Sequence, residues 1–160
     1  MSKVKKITYI GQYAEFKGLY DFLSLANSFK ESNITFEIFG EDIDIEIPQN
    51  VSNKKRFSPD NIDNIFKNIQ LLVIPSRCKE TFGFLSLEAL SHEVPIIVSS
   101  SMGSKDMLPD ICVFDSKHLI STIMNMVSKN EKIKFAINLK SIEDHSEEII
   151  NLYERAISKL

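Results

Sequence analysis

Three features of the sequence predict an α/β layer fold, with a parallel sheet of about six strands and helices on both faces. Short apolar runs alternate along the chain with stretches whose apolar residues recur at helical spacing. Strands separated by such helices form βαβ units, whose connections are right-handed. The 160 residues, 43% hydrophobic and 26% charged, have the size and composition of one globular domain. We therefore expect a single Rossmann-like, doubly wound domain over residues 1–160.

Six apolar runs are predicted to form the strands. They are residues 7–10, the alternating positions Ile34, Phe36 and Ile38, the alternating positions Ile43, Ile45 and Ile47, and residues 71–74, 95–98 and 111–114. The run that ends at Pro75 is continuously apolar, as is typical of a central strand buried on both faces. The third run alternates with acidic residues, which predicts a half-buried edge strand even though such residues form strands poorly.

The stretches between these runs are predicted to be helices. They cover residues 19–29, 58–69, 84–91, 119–127 and 144–160. Ser58, Pro59 and Asp60 form a good helix start, because they supply a cap, a fixed φ angle and a favourable charge for the helix dipole. The last helix places an apolar stripe on one face, consisting of Ile149, Ile150, Tyr153, Ala156, Ile157 and Leu160.

Composition excludes several classes of protein. The net charge of −3 argues against a nucleic-acid-binding protein that relies on bulk positive charge. No run approaches the roughly 18 apolar residues of a membrane span, and no signal-peptide pattern follows the basic start. Cys78 and Cys112 are far apart and the three histidines are scattered, so no zinc site is expected. The expected location is the cytoplasm, with peripheral membrane association as an option for a full-length enzyme.

The first segment with possible chemistry lies between the first strand and the first helix, from Gly11 to Gly18. Its terminal glycines permit a tight loop, and Lys17 lies near the start of a helix, where anions bind. The segment lacks both the dinucleotide-binding glycine pattern and the Gly-Lys-Ser/Thr sequence of a P-loop. Taken alone, the segment is weak evidence, and an ordinary loop with a solvated lysine is the favoured interpretation.

The second segment follows the central strand and contains two acids, Glu80 and Glu88. Gly83 lies at the junction of loop and helix, where it lets the backbone approach a ligand closely. The free amides of Phe84 and Leu85 would point at that ligand, because a helix N-terminus leaves its first N–H groups unpaired. The alternative from spacing alone is a capped helix with two surface acids. A third segment, the serine-rich loop 99–106 with Gly103, is only suggestive.

In order and spacing, the three segments resemble the C-terminal domain of the family 4 (group 1) retaining glycosyltransferases of GT-B fold. That family's Gly-Arg and Lys-Gly pairs correspond to Gly11-Gln12 and Lys17-Gly18. Its Pro-Ser, Glu-Gly-Phe-Gly-Leu and second Glu correspond to Pro75-Ser76, the segment Glu80-Thr81-Phe82-Gly83-Phe84, and Glu88. A later Pro and buried strand match residues 95–98, and Gly103 and Asp106 match part of the last motif. The register covers about residues 5–115.

The resemblance implies that the chain binds a nucleotide-diphosphate sugar for retaining sugar transfer, plausibly in bacterial surface polysaccharide synthesis. Lys17 and the amides of Phe84 and Leu85 would stabilise the departing diphosphate. Glu80 would contact hydroxyls of the donor sugar, and Glu88 would accept hydrogen bonds from the ribose. The resemblance assigns substrate contacts to Gly11, Gln12, Thr81, Phe82 and Gly83 as well. The donor, carrying UDP or GDP, is the substrate, and neither a cofactor nor a metal is expected.

Three residues depart from the family pattern. Gln12 replaces an arginine and can give only a neutral hydrogen bond, whereas charge-assisted bonds are roughly twice as strong. Thr81 and Met102 each replace a glycine. The site is therefore expected to be either specialised or weakened.

Enzymes of this family have two Rossmann-like halves with the active site between them, and the N-terminal acceptor-binding half is absent from this chain. We expect that half to be supplied in cis or by a separate chain, and the isolated chain to bind donor without turnover. Two alternatives stay open: a non-catalytic (decayed) nucleotide-sugar-binding domain, and a sugar-nucleotide 2-epimerase-like isomerase domain. A phosphoacceptor receiver domain is disfavoured, because Gly11-Gln12-Tyr13 follows the first strand in place of an acidic pair.

Overall fold

A computed structural model of the protein describes residues 4–41, 45–115, 117–129 and 140–159. These residues include six strands, which form one parallel sheet in the order β3-β2-β1-β4-β5-β6. Their bounds are β1 Lys6–Ile10, β2 Thr35–Phe39, β3 Val51–Asn53, β4 Leu72–Ile74, β5 Ile96–Ser99 and β6 Val113–Phe114. The strand order reverses between β1 and β4, which makes this pair the topological switch point of the sheet. The predicted doubly wound parallel sheet is confirmed.

In the described part of the chain, five α-helices accompany the sheet: α1 Leu19–Ser28, α2 Ile62–Lys67, α3 Phe84–Ser91, α4 Leu119–Lys129 and α5 Ile142–Ile157. One face of the sheet packs against α1 and α4, with Phe22 and Ile123 fully buried. The other face packs against α2 and α3, with Phe66 and Ala89 in that core. Within the described residues, no helix is long and apolar enough to cross a membrane. The prediction of helices on both faces is confirmed.

The predicted edge strand is wrong where the structure describes it. Ile43 lies outside the described residues, whereas residues 45–47 form no strand and Ile45 is exposed. The edge strand is Val51–Asn53, which pairs with β2 and buries Val51. The acidic residues between the isoleucines disfavour a strand, and Pro48 has no N–H for a ladder.

Two further boundaries differ from the sequence prediction. The helix expected from Ser58 begins as a 3-10 turn at Pro59–Asn61, and α2 starts only at Ile62. The Asn61 amide donates to the carbonyl of Ser58 and not to its hydroxyl. In the tighter 3-10 turn, this amide is therefore satisfied by the backbone alone. The strand expected over residues 111–114 is shortened to β6 by another 3-10 turn, Asp110–Cys112.

The last helix is confirmed, but its apolar stripe is not part of the core. Its N-cap is Ser141, whose hydroxyl accepts a hydrogen bond from the Asp144 amide at 3.1 Å. All described side chains of α5 are exposed, including Ile150 and Tyr153 of the predicted stripe. Leu160 lies outside the described residues. Periodicity therefore predicted the helix correctly but could not show what its apolar face packs against.

Candidate functional site

A cavity of about 430 Å³ opens at the carboxyl ends of β1 and β4, the switch point of the sheet. Ligands of open α/β sheets bind at this position, because the connections diverge to opposite faces and leave a crevice. Its lining consists of Tyr9, Ile10, Gly11, Gln12, Lys17, Ile74, Ser76, Glu80, Gly83, Phe84, Leu85 and Met102. The fold thus joins the first two candidate segments of the sequence, together with Met102 of the third, in one site.

An ion pair crosses this cavity, with the Lys17 Nζ atom 2.8 Å from Glu80 Oε1. The two side chains are 30% and 20% exposed, so both remain accessible to a ligand. Partial burial alone would raise the pKa of the Glu80 carboxyl. Hydrogen bonds from Lys17, Ser76 and Cys78, together with the charge of Lys17, outweigh that effect and lower the pKa. Glu80 is therefore ionised at neutral pH, and the two charges compensate each other.

The N-terminus of α3 forms one wall of the cavity. Gly83 precedes the helix in a left-handed conformation, with φ of 84° and no side-chain cap. Within the described residues, the amides of Phe84 and Leu85 donate no hydrogen bond to another segment, whereas the Ser86 amide bonds to the Gly83 carbonyl. Two N–H groups and the positive end of the helix dipole are thus available to an anion.

The β1–α1 loop is fixed by close packing of its backbone. Gly18 has a φ of 77°, and a Cβ atom there would lie 1.9 Å from the Pro75 carbonyl oxygen. The buried hydroxyl of Tyr9 donates to the Gln12 carbonyl at 2.7 Å, which leaves the Gln12 side chain exposed at the cavity. Sequence reasoning did not select Tyr9, although its position next to the first strand's end was a usable signal.

A second space of about 300 Å³ adjoins the first and shares Ile10, Gly11 and Gln12 with it. Phe39 and Phe57 form its apolar part, with their ring centroids 5.6 Å apart in an edge-to-face arrangement. The site is therefore elongated, with a charged end at Lys17 and an apolar end at the phenylalanines.

Not every residue selected from the sequence lines the cavity. Three of them, Thr81, Phe82 and Glu88, lie outside the lining. The residues that do line the cavity are Gly11, Gln12, Lys17, Glu80, Gly83, Phe84 and Leu85. Thr81 and Glu88 are exposed, and the Phe82 ring lies 5.9 Å from that of Phe84 outside the lining. Ser76 and Met102 line the cavity although they were not selected as site residues. The backbone of Met102 forms an isolated parallel β-bridge with Glu80, a contact that sequence spacing cannot show.

Solved structures share this fold over most of the chain. The catalytic domain of starch synthase IV from Arabidopsis thaliana, bound to ADP and acarbose, superposes with a TM-score of 0.72 at 15% identity, covering 99% of this chain and 39% of that one. Anabaena HepE in complex with UDP and glucose superposes with a TM-score of 0.65 at 13% sequence identity, covering 80% of this chain and 40% of HepE. WaaG, a glycosyltransferase involved in lipopolysaccharide biosynthesis, superposes with a TM-score of 0.66 at 17% sequence identity, covering 81% of this chain and 40% of WaaG.

These likenesses establish the fold, and this chain spans less than half the length of each of the three structures. No curated protein sequence is significantly similar to it. The family model of glycosyl transferases group 1, however, matches residues 4–137, which contain the whole sheet and both loops of the cavity. The chain therefore belongs to the group 1 glycosyl transferases.

Proposed function

We propose that this chain is the donor-binding domain of a retaining glycosyltransferase and binds a nucleotide-diphosphate sugar in the cavity at the switch point. The observation that carries this proposal is the convergence of Lys17, Glu80 and the N-terminus of α3 in one cavity. A diphosphate needs cations and N–H donors, while sugar hydroxyls need acceptors. The three groups supply both.

In the proposed reaction, the bond between the anomeric carbon and the diphosphate oxygen breaks and an acceptor hydroxyl forms the new bond on the same face of the sugar. The nucleoside diphosphate leaves with the bonding electrons, and the acceptor's proton is released. Lys17 and the amides of Phe84 and Leu85 stabilise the charge that develops on the leaving group. Glu80 accepts hydrogen bonds from the sugar hydroxyls and orients the anomeric carbon.

The elongated shape of the site suits a whole nucleotide. The charged end takes the diphosphate, so the base lies toward Phe39 and Phe57, whose rings supply apolar contact. Glu88, one turn further along α3, is assigned to the ribose hydroxyls, although its side chain does not line the cavity. In this proposal Lys17 and the amides of Phe84 and Leu85 take the place of a metal ion. The nucleotides bound by starch synthase IV and HepE support the ligand class.

The chain spans less than half of its solved neighbours, so we assign acceptor binding to a second domain, in cis or on another chain. The chain alone is then expected to bind donor without transferring sugar. Synthesis of bacterial surface polysaccharide in the cytoplasm is the proposed context, supported by the lipopolysaccharide role of WaaG. A transfer assay on the isolated chain tests this point, and turnover would contradict it.

Thermal unfolding with UDP, GDP and ADP at millimolar concentration tests the function directly. Ligand at about 100 times its Kd stabilises a protein by about 2.7 kcal/mol, or roughly 5 to 10 °C for a domain of this size. One nucleotide should shift the midpoint, and Glu88→Gln should reduce that shift if Glu88 holds the ribose. Glu93→Gln, an exposed acid just beyond α3, is the matched control. If no nucleotide shifts the midpoint, donor binding by this chain is refuted.

A second candidate is a non-catalytic nucleotide-sugar-binding domain, which the exposed, uncharged Gln12 at the cavity favours. Such a domain would bind the nucleotide but give no transfer when joined to an acceptor domain, even after Gln12→Arg. A 2-epimerase-like activity would instead yield an epimerised sugar nucleotide without any acceptor. Product analysis of the reconstituted two-domain protein separates the three functions.

A further inference from the structure

Arg77 connects the two loops that form the cavity, although it does not line the cavity itself. It follows Ser76 at the end of β4, and its guanidinium donates two parallel hydrogen bonds to Asp21, each 2.7 Å long. A third bond, 3.0 Å long, runs from Nη1 to Glu15 Oε1. Bidentate pairing of this kind fixes both the distance and the orientation of its partner.

These contacts lie on both sides of Lys17 in the sequence. Glu15 begins the 3-10 turn that contains Lys17, and Asp21 lies in the first turn of α1. Between them, the Phe16 carbonyl accepts the backbone amides of Arg77 at 2.8 Å and of Cys78 at 3.2 Å. The β4–α3 loop therefore holds the lysine-bearing segment, residues 15–21, at three separate points.

The Arg77–Glu15 pair is too exposed to contribute much to stability, whereas Asp21 is 26% exposed and is held by the bidentate pair. Arg77 is 44% exposed and Glu15 73% exposed, and ion pairs in such positions contribute little to the free energy of unfolding. Their geometric effect is larger, because a lysine side chain is long and has many rotamers. A fixed backbone limits where the Lys17 ammonium can lie, whereas a loose one spreads it over many positions.

We infer that Arg77 is a positioning residue for Lys17: it fixes the segment 15–21 so that the ammonium group meets the diphosphate at the N-terminus of α3. The inference rests on the proposed function, which gives Lys17 its role toward the donor. Arg77 does not line the cavity, so we expect it to touch neither the diphosphate nor the sugar. Its removal should therefore act only through Lys17.

The affinity of the chain for UDP, GDP and ADP, measured by calorimetry, tests this role. Arg77→Gln should weaken binding of the nucleotide that the wild-type chain prefers by about 3- to 10-fold, and Arg77→Lys by less, since it keeps one bond to Asp21. The matched control is Lys79→Gln, which removes an exposed cation from the same loop that has no ion-pair or hydrogen-bond partner within the described residues. It should change the affinity by less than about twofold.

A double-mutant cycle separates positioning from a general structural effect. In a Lys17→Met background, Arg77→Gln should have almost no further effect on the affinity, because the group that Arg77 positions is gone. An equal loss in both backgrounds would overturn the inference, and so would an unchanged affinity in Arg77→Gln itself. Thermal midpoints of all variants show whether any of them loses its fold.

A ligand-free measurement keeps the inference distinct from the proposed function. The rate at which acetic anhydride modifies Lys17, read by mass spectrometry against the exposed Lys30, reports how firmly the ammonium is held. Arg77→Gln should raise that rate about two- to fivefold, whereas Lys79→Gln should leave it unchanged. If no nucleotide binds the wild-type chain, the proposed function fails. An unchanged Lys17 rate in Arg77→Gln refutes the positioning whether or not a nucleotide binds.

Discussion

The two loops that meet over the switch point reach the same cavity by different physical means. The β1–α1 loop packs its backbone tightly and contributes a side chain, Lys17. The β4–α3 loop leaves its helix N-terminus open and contributes backbone amides together with Glu80. The first loop therefore offers the ligand a side chain held on a closely packed backbone, whereas the second offers mainly its backbone amides.

Each loop ends in a left-handed glycine, and the two glycines differ in what surrounds them. A Cβ atom on Gly18 would lie 1.9 Å from the backbone oxygen of Pro75. A Cβ atom on Gly83 would lie 2.2 Å from the terminal methyl group of Met102. A methionine side chain can move aside, whereas the carbonyl at the end of a central strand cannot. The two glycines thus have similar φ angles but differ in how far the atoms around them can adjust.

The largest expected effect is on the stability of Gly18→Ala. Left-handed strain costs about 1–2 kcal/mol in either variant, and the overlap with Pro75 should bring the total loss for Gly18→Ala to about 3 kcal/mol or more. Gly83→Ala should lose only about 1–2 kcal/mol, because Met102 can change rotamer. Urea denaturation of both variants measures the difference. Equal losses would show that the packing of Gly18 against Pro75 does not constrain the fold.

The next effect is on ligand affinity. Lys17→Met should weaken nucleoside diphosphate binding about tenfold, since a charge-assisted hydrogen bond of about 1.5 kcal/mol is lost. The thermal midpoint of the free chain should change little, because the Lys17–Glu80 pair is partly exposed. Calorimetric titration measures the affinity, with Lys79→Met as control. An unchanged affinity would place the diphosphate elsewhere.

Glu80→Gln should have a smaller effect of opposite sign. In the free chain Glu80 holds the Lys17 ammonium, and a diphosphate has to displace it. Removing the carboxylate charge should therefore raise the affinity for the nucleoside diphosphate about two- to threefold. The affinity for the matching nucleotide sugar should not rise, because Glu80 no longer accepts its hydroxyls with full charge. A loss of affinity for both ligands would contradict this competition.

The smallest expected effect is the pH dependence of stability. Because the pKa of Glu80 is lowered in the folded chain, the native state binds this proton less readily than the unfolded state. The contribution of Glu80 to stability is thus complete at neutral pH and is lost as the pH falls below about 4.3. The stability difference between wild type and Glu80→Gln should narrow over that range. Urea midpoints of both proteins from pH 7 to pH 3 measure this difference in stability. A difference that widens as the pH falls would contradict a lowered pKa of Glu80 in the folded chain.

The sequence predicted most of the fold because its signals are local. The apolar runs at β1, β2, β4 and β5 and the helical spacing of the apolar residues in α1 depend on residues a few positions apart. The prediction of the edge strand was wrong because the alternation at Ile45 and Ile47 resembles that of a strand. The observed edge strand, Val51–Asn53, is too short to show any periodicity. For the site, the resemblance gave residue types in register, but it could not show that Thr81, Phe82 and Glu88 fall outside the cavity lining.

The sequence by itself determined where the helices form, and the tertiary structure decided which of them contribute to the core. α4 and α5 have equally regular apolar stripes, yet α4 buries Leu119, Ile123 and Met126 while every described side chain of α5 is exposed. Burial depends on which surfaces meet, and that is a long-range property. For the same reason, only the fold could pair Lys17 with Glu80 and bond Arg77 to Glu15 and Asp21 on either side of Lys17, across more than 50 residues of chain.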